Sequence, residues 1–177
     1  MKKLLWFVVG LLLVALVVPF AIGSSMPRDH VAIMSIQLKT QPDRVWALVS
    51  DFTGATAWRK DLKAVRAEPS AGGAVRFTES SSFGDVTFEV IAQEPPARQV
   101  LKIVDDDQPF GGTWTWQLVP DAGGTRLTIT EAGFVKNPMF RFMGTLFWSP
   151  TDTIRNYMTG LAAHLGESAE PVVMSPR

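Results

Sequence analysis

The sequence predicts an α+β protein. We expect a curved antiparallel sheet of about seven strands wrapped on a long C-terminal helix and preceded by one N-terminal transmembrane helix. Three observations support this prediction. The chain begins with an uninterrupted apolar run, its middle holds short segments in which apolar and polar residues alternate, and its last third repeats apolar residues at helical spacing.

The N-terminal segment, residues 1–23, is predicted to be a membrane anchor or an uncleaved signal. Leu4 to Ile22 holds 19 residues without a charge, and such a helix is about 28 Å long, close to the ~30 Å core of a bilayer. Secretory signals have a shorter apolar stretch of roughly 7–15 residues. The triplet Ala21-Ile22-Gly23 keeps cleavage open, and a buried core helix is the remaining alternative.

Charge predicts how the anchor is oriented. Lys2 and Lys3 are positive, whereas Arg28 and Asp29 cancel on the other side. The positive-inside rule then predicts a single-pass membrane protein with a cytoplasmic N-terminus. We expect the domain on the periplasmic or extracellular side.

Composition excludes several functions. The 17 basic and 17 acidic residues balance, and no basic block is present, so no nucleic-acid partner is expected. Cysteine is absent, and His30 and His164 are the only histidines. We therefore expect no metal site and no cofactor. Six tryptophans and eleven phenylalanines supply enough aromatic surface for a core and the walls of a cavity.

The exported part divides into a stalk (residues 24–29), a domain (residues 30–166) and a flexible tail (residues 167–177). The domain begins with an alternating strand, continues with a helix from Pro42, and then holds six strands between Leu62 and Gly133. Asn137-Pro138 predicts the start of an apolar helical run that Ser149-Pro150-Thr151 interrupts. A final helix ends at Gly166.

Four sequence motifs resemble a known family. They are Val45-Trp46 with Asp51 and Trp58, Glu94-Pro95-Pro96 with Arg98 and Val100, Gly111-Gly112-Thr113-Trp114-Thr115-Trp116, and Gly123-Gly124 followed by Thr125 to Glu131. In order and spacing they resemble the START-like, or SRPBCC, superfamily of polyketide cyclases/dehydrases and lipid-transport proteins, over Val31 to Gly166. The resemblance implies the helix-grip fold, with a hydrophobic cavity roofed by the C-terminal helix. Most members lack an N-terminal anchor, and the family does not fix a reaction.

The expected ligand-binding residues are the large side chains that such a cavity would collect: Trp58, Arg59, Phe77, Phe88, Trp114, Trp116, Phe142, Met143, Leu146 and Met158. Arg59 suits a cavity mouth that holds an acidic headgroup, or alternatively lies in solvent beside a core Trp58. Trp114 and Trp116 share one strand face, and either line the cavity or pack under the last helix.

Two glutamates are candidates for catalysis. Glu131 shares its strand phase with Leu127 and Ile129, and Glu79 shares its phase with Val75 and Phe77, so both are predicted to point inward. A buried carboxyl has a raised pKa and can act as an acid or base. The alternative for Glu131 is a strand end near Gly133 paired with an arginine such as Arg141, and Glu79 has a similar structural alternative.

Three further features have competing interpretations. The run from Phe140 to Trp148 is apolar on more than one side, and acts as a cavity lid, an interfacial membrane segment or ordinary core. Asp105-Asp106-Asp107 is a solvated loop rather than a calcium site. His30 and His164 are expected to be structural or exposed.

These observations favour a membrane-tethered module that binds or carries a lipid or another hydrophobic small molecule. The alternatives are a cyclase/dehydrase-type enzyme that uses Glu131 or Glu79, and an assembly factor that docks another membrane protein.

Overall fold

An eight-stranded antiparallel sheet forms the body of the protein in a computed structural model that describes residues 2–69, 73–105, 107–121, 123–147 and 149–175. The strand order is β2-β3-β4-β5-β6-β7-β1-β8. The strands are β1 (Asp29–Leu38), β2 (Leu62–Glu68), β3 (Arg76–Ser81), β4 (Gly84–Glu94), β5 (Arg98–Ile103), β6 (Phe110–Asp121), β7 (Gly124–Val135) and β8 (Val172–Met174). The helices are α1 (Lys2–Ser25), α2 (Pro42–Val49), a 3-10 helix (Thr53–Ala57), α3 (Pro138–Phe147) and α4 (Pro150–His164).

The core lies between the sheet and α4. The side chains of Met34 and Ile36 on β1 and of Leu127 and Ile129 on β7 are fully buried, as the alternating pattern predicts. From the helix side, α4 adds a stripe of buried residues at helical spacing: Ile154, Tyr157, Met158, Leu161 and Ala162. This is the helix-grip arrangement that the sequence predicts.

Helix α1 is long and apolar enough to span a membrane, and its apolar stretch is not buried against the rest of the protein. It extends to Ser25, and β1 begins at Asp29. Three of the six residues expected to form the stalk, residues 24–29, therefore belong to α1 or β1. Arg28, between them, places its guanidinium 5.0 Å from the ring centre of Phe134 on β7, so this segment is held against the domain.

Helix α2 and the 3-10 helix carry the chain from β1 to the cavity. Pro42 starts α2, whose Val45 and Val49 are buried. The buried Gln99 side chain donates a 2.9 Å bond to the Val49 carbonyl and fixes the end of α2 to β5. Asp51 then accepts a 2.9 Å bond from the Gly54 amide and starts the 3-10 helix, which delivers Trp58 and Arg59 to the inside of the sheet.

The C-terminal segment corrects one expectation. Residues 172–174 form β8, which pairs antiparallel with β1, so the predicted flexible tail includes an edge strand. Val172, Val173 and Met174 are apolar and extend a sheet edge, which explains the pairing. Glu167 fastens the start of this segment, because its carboxylate accepts bonds from the Lys39 amide (2.7 Å) and from the Thr40 amide (3.0 Å) and hydroxyl (2.6 Å).

The apolar run after Asn137 forms α3. The Asn137 side chain accepts a 2.8 Å bond from the Met139 amide at the start of the helix. Helix α3 packs against α1, whereas α4 packs against β1. The interruption predicted at Ser149-Pro150 thus separates two helices with different partners. Trp148, which closes the predicted apolar run, lies outside the described residues.

Candidate ligand-binding site

A cavity of about 110 Å³ lies between the concave face of the sheet and α4. Its wall is formed by the end of α2 and the following loop, by strands β3, β4, β5 and β6, and by α4. The lining residues are Leu48, Val49, Asp51, Phe52, Ala55, Trp58, Arg59, Asp61, Glu79, Phe88, Leu101, Trp114, Trp116, Thr153 and Tyr157. The wall is thus mostly apolar, with a charged cluster at one side.

Four aromatic side chains form one wall of the cavity. Trp58 meets Tyr157 edge to face, with 5.0 Å between the ring centres. Trp116 lies 5.8 Å from Tyr157 and 5.7 Å from Trp114. These spacings are typical of favourable aromatic pairs, so the four rings form a stiff surface across the sheet, α4 and the loop after the 3-10 helix.

A second aromatic group supports the other side. Phe52 stacks on Phe77 with 4.3 Å between the ring centres, and Phe77 stacks on Phe88 at 5.5 Å. Phe77 and Phe88 are direct cross-strand partners on β3 and β4. Phe77 is buried behind the cavity surface, while Phe52 and Phe88 face the cavity.

The charged cluster is centred on Arg59. Its guanidinium donates to Glu79 at 2.5 Å and to Asp61 at 2.7 Å, and lies 5.4 Å from the ring centre of Tyr157. The side chains of Arg59 and Glu79 are 13% and 15% exposed, so this pair is largely desolvated, whereas Asp61 is 53% exposed. The expectation of a solvated Arg59 is therefore wrong, while Trp58 is buried as expected.

Burial sets the acid–base character of this cluster. Desolvation raises the pKa of the Glu79 carboxyl, and the facing guanidinium opposes that shift without cancelling it. Desolvation likewise raises the pKa of the Tyr157 phenol. Tyr157 is therefore neutral at physiological pH, and a neutral phenol can donate or accept a hydrogen bond in the cavity.

Two N–H groups in the cavity wall have no hydrogen-bond partner within the part of the chain that the structure describes. They are the Nε–H of Arg59 and the indole Nε1–H of Trp116, and both are buried. The Trp116 indole also acts on the Tyr157 hydroxyl, because it partly opposes the rise in the pKa of that phenol. Because an unsatisfied buried donor costs free energy, these two groups favour a ligand that brings an acceptor oxygen.

The structure brings half of the expected ligand-binding residues to the cavity: Trp58, Arg59, Phe88, Trp114 and Trp116. Phe77 and Met158 lie in the core beside it. Phe142, Met143 and Leu146 belong to α3, which packs against α1 and does not line the cavity.

Glu131 lies in a separate buried position. It points inward from β7, beside Trp114 on β6 and Ala32 on β1. One oxygen, Oε1, lies 3.4 Å from Nε2 of His30. The other, Oε2, is buried and has no hydrogen-bond partner within the described part of the chain. Desolvation raises the pKa of this carboxyl, while His30 opposes the shift.

The suggested pairing of Glu131 with Arg141 is wrong. Arg141 instead donates to three backbone carbonyls, those of Gly23 (2.8 Å), Val135 (2.9 Å) and Lys136 (3.0 Å). The partner of Glu131 is His30, which was expected to be structural or exposed. The strand pairing explains this contact, because His30 lies opposite Gly133 and shares the inner face with Glu131.

Nine of the residues that line the cavity were not among the predicted ligand-binding or catalytic residues, and two of these nine, Tyr157 and Asp61, contact Arg59. Tyr157 is the single tyrosine of the chain and lies at helical spacing with apolar residues of α4, which is a signal for a polar group that faces inward. Asp61 follows Arg59 by two residues, and this short acid–base spacing is a weak signal for a local ion pair. No group of three or more metal-ligating side chains occurs among the described residues, and Asp106 lies outside them.

The fold and the cavity together define the class of protein: a helix-grip protein in which a curved sheet and a C-terminal helix enclose an aromatic cavity. A family described as polyketide cyclase / dehydrase and lipid transport matches residues 30–166. The chain belongs to this family.

Solved structures share the fold. A Mesorhizobium loti protein is 20% identical with a TM-score of 0.59, over 77% of this chain and 97% of that one. A conserved protein from Geobacillus kaustophilus is 18% identical with a TM-score of 0.62, and the match covers 80% of this chain and 99% of that one. The di-domain ARO/CYC StfQ from the steffimycin biosynthetic pathway is 10% identical with a TM-score of 0.64, over 77% of this chain and 50% of StfQ. At these identities the likeness shows the fold alone. No curated protein matches the chain in sequence.

Proposed function

We propose that this protein binds a hydrophobic small molecule or lipid in the cavity between the sheet and α4, and that α1 tethers it to a membrane. The observation that carries the proposal is the composition of the cavity wall. Aromatic rings line a space whose wall residues include Arg59 and Trp116, each with a buried N–H group that has no hydrogen-bond partner among the described residues. Mostly apolar walls with a few placed polar groups are typical of small-molecule sites.

The cavity is smaller than most sites that bind a small molecule. Small-molecule sites usually measure roughly 300–1,000 Å³, whereas this cavity measures about 110 Å³. A lipid therefore requires the walls to move apart. The segment from Asp51 to Arg59 contains no long helix and forms one wall, so we propose that it moves outward when the ligand enters.

The tether supports the same function. A membrane anchor keeps the domain close to membrane-dissolved ligands and raises their effective concentration. The exposed apolar surface of α1 and the two lysines at its start support a retained span with the N-terminus in the cytoplasm. The domain would then act on the periplasmic or extracellular side.

One observation favours a second candidate, an enzyme of the cyclase/dehydrase type. Glu79 lies in the cavity wall with a raised pKa, as a general acid or base requires. The ion pair with Arg59 holds this carboxylate in place, and catalysis needs the carboxylate to be free for proton transfer. Glu131 is the weaker candidate, because it does not line the cavity.

The test is native mass spectrometry of the full chain released from lipid nanodiscs, with and without prior incubation with a total membrane lipid extract. Ala55 is buried in the cavity wall, so Ala55→Leu fills the space. Ala97→Leu, at an exposed turn, is the matched control. We expect the wild type and the control variant Ala97→Leu to retain a bound apolar molecule. We expect Ala55→Leu to lose it. An apo mass in every sample, or equal retention in all three, contradicts the proposal.

A further inference from the structure

Helix α3 exposes an apolar stripe. Phe140, Met143 and Leu146 are 55%, 40% and 59% exposed. They follow one another at three-residue spacing, so they lie along one side of the helix. A contiguous row of large apolar side chains on the surface marks an interaction site rather than ordinary solvent-facing helix.

Two polar side chains of α3, those of Arg141 and Thr145, donate to backbone carbonyls. Arg141 is its single charged residue, and this guanidinium is occupied by three backbone carbonyls. The hydroxyl of Thr145 donates a 2.7 Å bond to the Phe142 carbonyl of the same helix. Such self-satisfied polar groups suit a helix surface that leaves water.

The position of α3 identifies what the stripe meets. Gly23, near the end of α1, is buried, and a Cβ there would collide with the Pro138 carbonyl at the start of α3. Arg141 donates to the carbonyl of the same Gly23. Helix α3 therefore starts where α1 leaves its apolar stretch, and the two helices pack together. Both helices of this packed pair expose large apolar side chains.

We propose that α3 lies in the interfacial layer of the lipid bilayer beside α1, with Phe140, Met143 and Leu146 against the acyl chains. This inference rests on the proposed tethering by α1. The membrane contact would then consist of two helices joined by Arg141, and the domain would have a fixed orientation on the bilayer. Helix α4 follows α3 directly, and Thr153 in its first turns lines the cavity. The α4 side of the cavity is therefore held close to the membrane surface.

The absence of cysteine makes a direct test possible in the full chain. Single-cysteine variants at Phe140, Met143 and Leu146 are labelled with the fluorophore NBD and reconstituted into phosphatidylcholine vesicles. Quenching is measured with nitroxides attached to the lipid headgroup or to the acyl chain, and with iodide in the water. Leu13→Cys in α1 reports on the anchor. Phe83→Cys is the matched control, because Phe83 is fully exposed in the β3–β4 turn. In the sheet, β5 and β6 separate these two strands from β7, the strand that precedes α3.

We expect lipid nitroxides to quench the three α3 labels and iodide to leave them bright, whereas the label at position 83 shows the reverse. The three positions are exposed, so each variant can fold and each gives an independent result. If acyl-chain nitroxides quench the label at position 13 while only iodide quenches the α3 labels, α1 is in the membrane and the inference about α3 is wrong. Labels on α3 that neither quencher reaches indicate contact with a second copy of the chain, which also overturns it. A label at position 13 that iodide quenches refutes both the tether and the inference.

Discussion

Arg59 and Glu79 form a largely desolvated ion pair in the wall of the cavity, with 2.5 Å between Nη1 and Oε1. They are brought together from the loop after the 3-10 helix and from β3. Asp61 takes a second guanidinium nitrogen, so two carboxylates face one arginine. Both residues of the pair line the cavity. Among the described residues, Nε is the one nitrogen of the Arg59 guanidinium that is buried without a hydrogen-bond partner.

Replacing Arg59 with methionine should destabilise the fold. The substitution leaves Glu79 buried beside the cavity without its cation, and removing one member of a buried pair typically costs about 3 kcal/mol or more. The double variant Arg59→Met/Glu79→Met should recover most of this loss, because no unpaired charge remains. Chemical unfolding of the full chain in detergent, followed by tryptophan fluorescence, gives the three free energies. A double variant as unstable as Arg59→Met would contradict the assignment.

The same cluster predicts the charge of the ligand. The charge of Arg59 is already compensated by Glu79 and Asp61, so the cavity offers hydrogen-bond donors without a free positive charge. We expect dodecanol to bind more tightly than dodecanoate at neutral pH, because the carboxylate would face two other carboxylates. The earlier expectation of an acidic headgroup at Arg59 predicts the opposite order. Native mass spectrometry distinguishes the two orders by how well each compound displaces the bound apolar molecule. Glu79→Gln removes one of the two carboxylates, so it should reduce the difference in affinity between dodecanol and dodecanoate.

The fold was largely predictable from the sequence, because alternation along β1, β6 and β7 and the stripe on α4 are local patterns that the core preserves. The partners of charged residues were less predictable. Whether Arg59 meets Glu79 depends on β3 lying next to the loop after the 3-10 helix. The contact between His30 and Glu131 depends on the register of β1 against β7. Local periodicity does not specify such relationships, and it also does not reveal that three residues near the C-terminus pair with β1.

Glu131 should make stability depend on pH. Burial raises the pKa of its carboxyl above 4.5, so the folded state binds the proton more tightly than the unfolded state. The stability that this group contributes is therefore fully present below the pKa of Glu131 in the unfolded state. It falls as the pH rises through the higher pKa of the folded state, and it stays low above that pKa. The variant Glu131→Gln lacks this penalty. Its stability relative to the wild type should increase as the pH rises above the ordinary glutamate pKa of 4.5, as measured by thermal unfolding. A difference that is constant with pH would show that Glu131 does not titrate differently on folding.

Two glycines of α1 provide a matched pair for the junction between α1 and α3. A Cβ at Gly10 has open space around it, whereas a Cβ at Gly23 meets the Pro138 backbone. Helix propensity favours alanine over glycine at both positions by roughly 1 kcal/mol. The collision at Gly23 must be relieved by moving α3 away from α1, and such overpacking typically costs about 1–3 kcal/mol.

We therefore expect Gly10→Ala to leave the unfolding temperature of the full chain unchanged or slightly higher, and Gly23→Ala to lower it. With an NBD label at position 143, Gly23→Ala should also change the exposure to lipid nitroxides. Equal behaviour of the two variants would mean that α3 is not fixed against the end of α1.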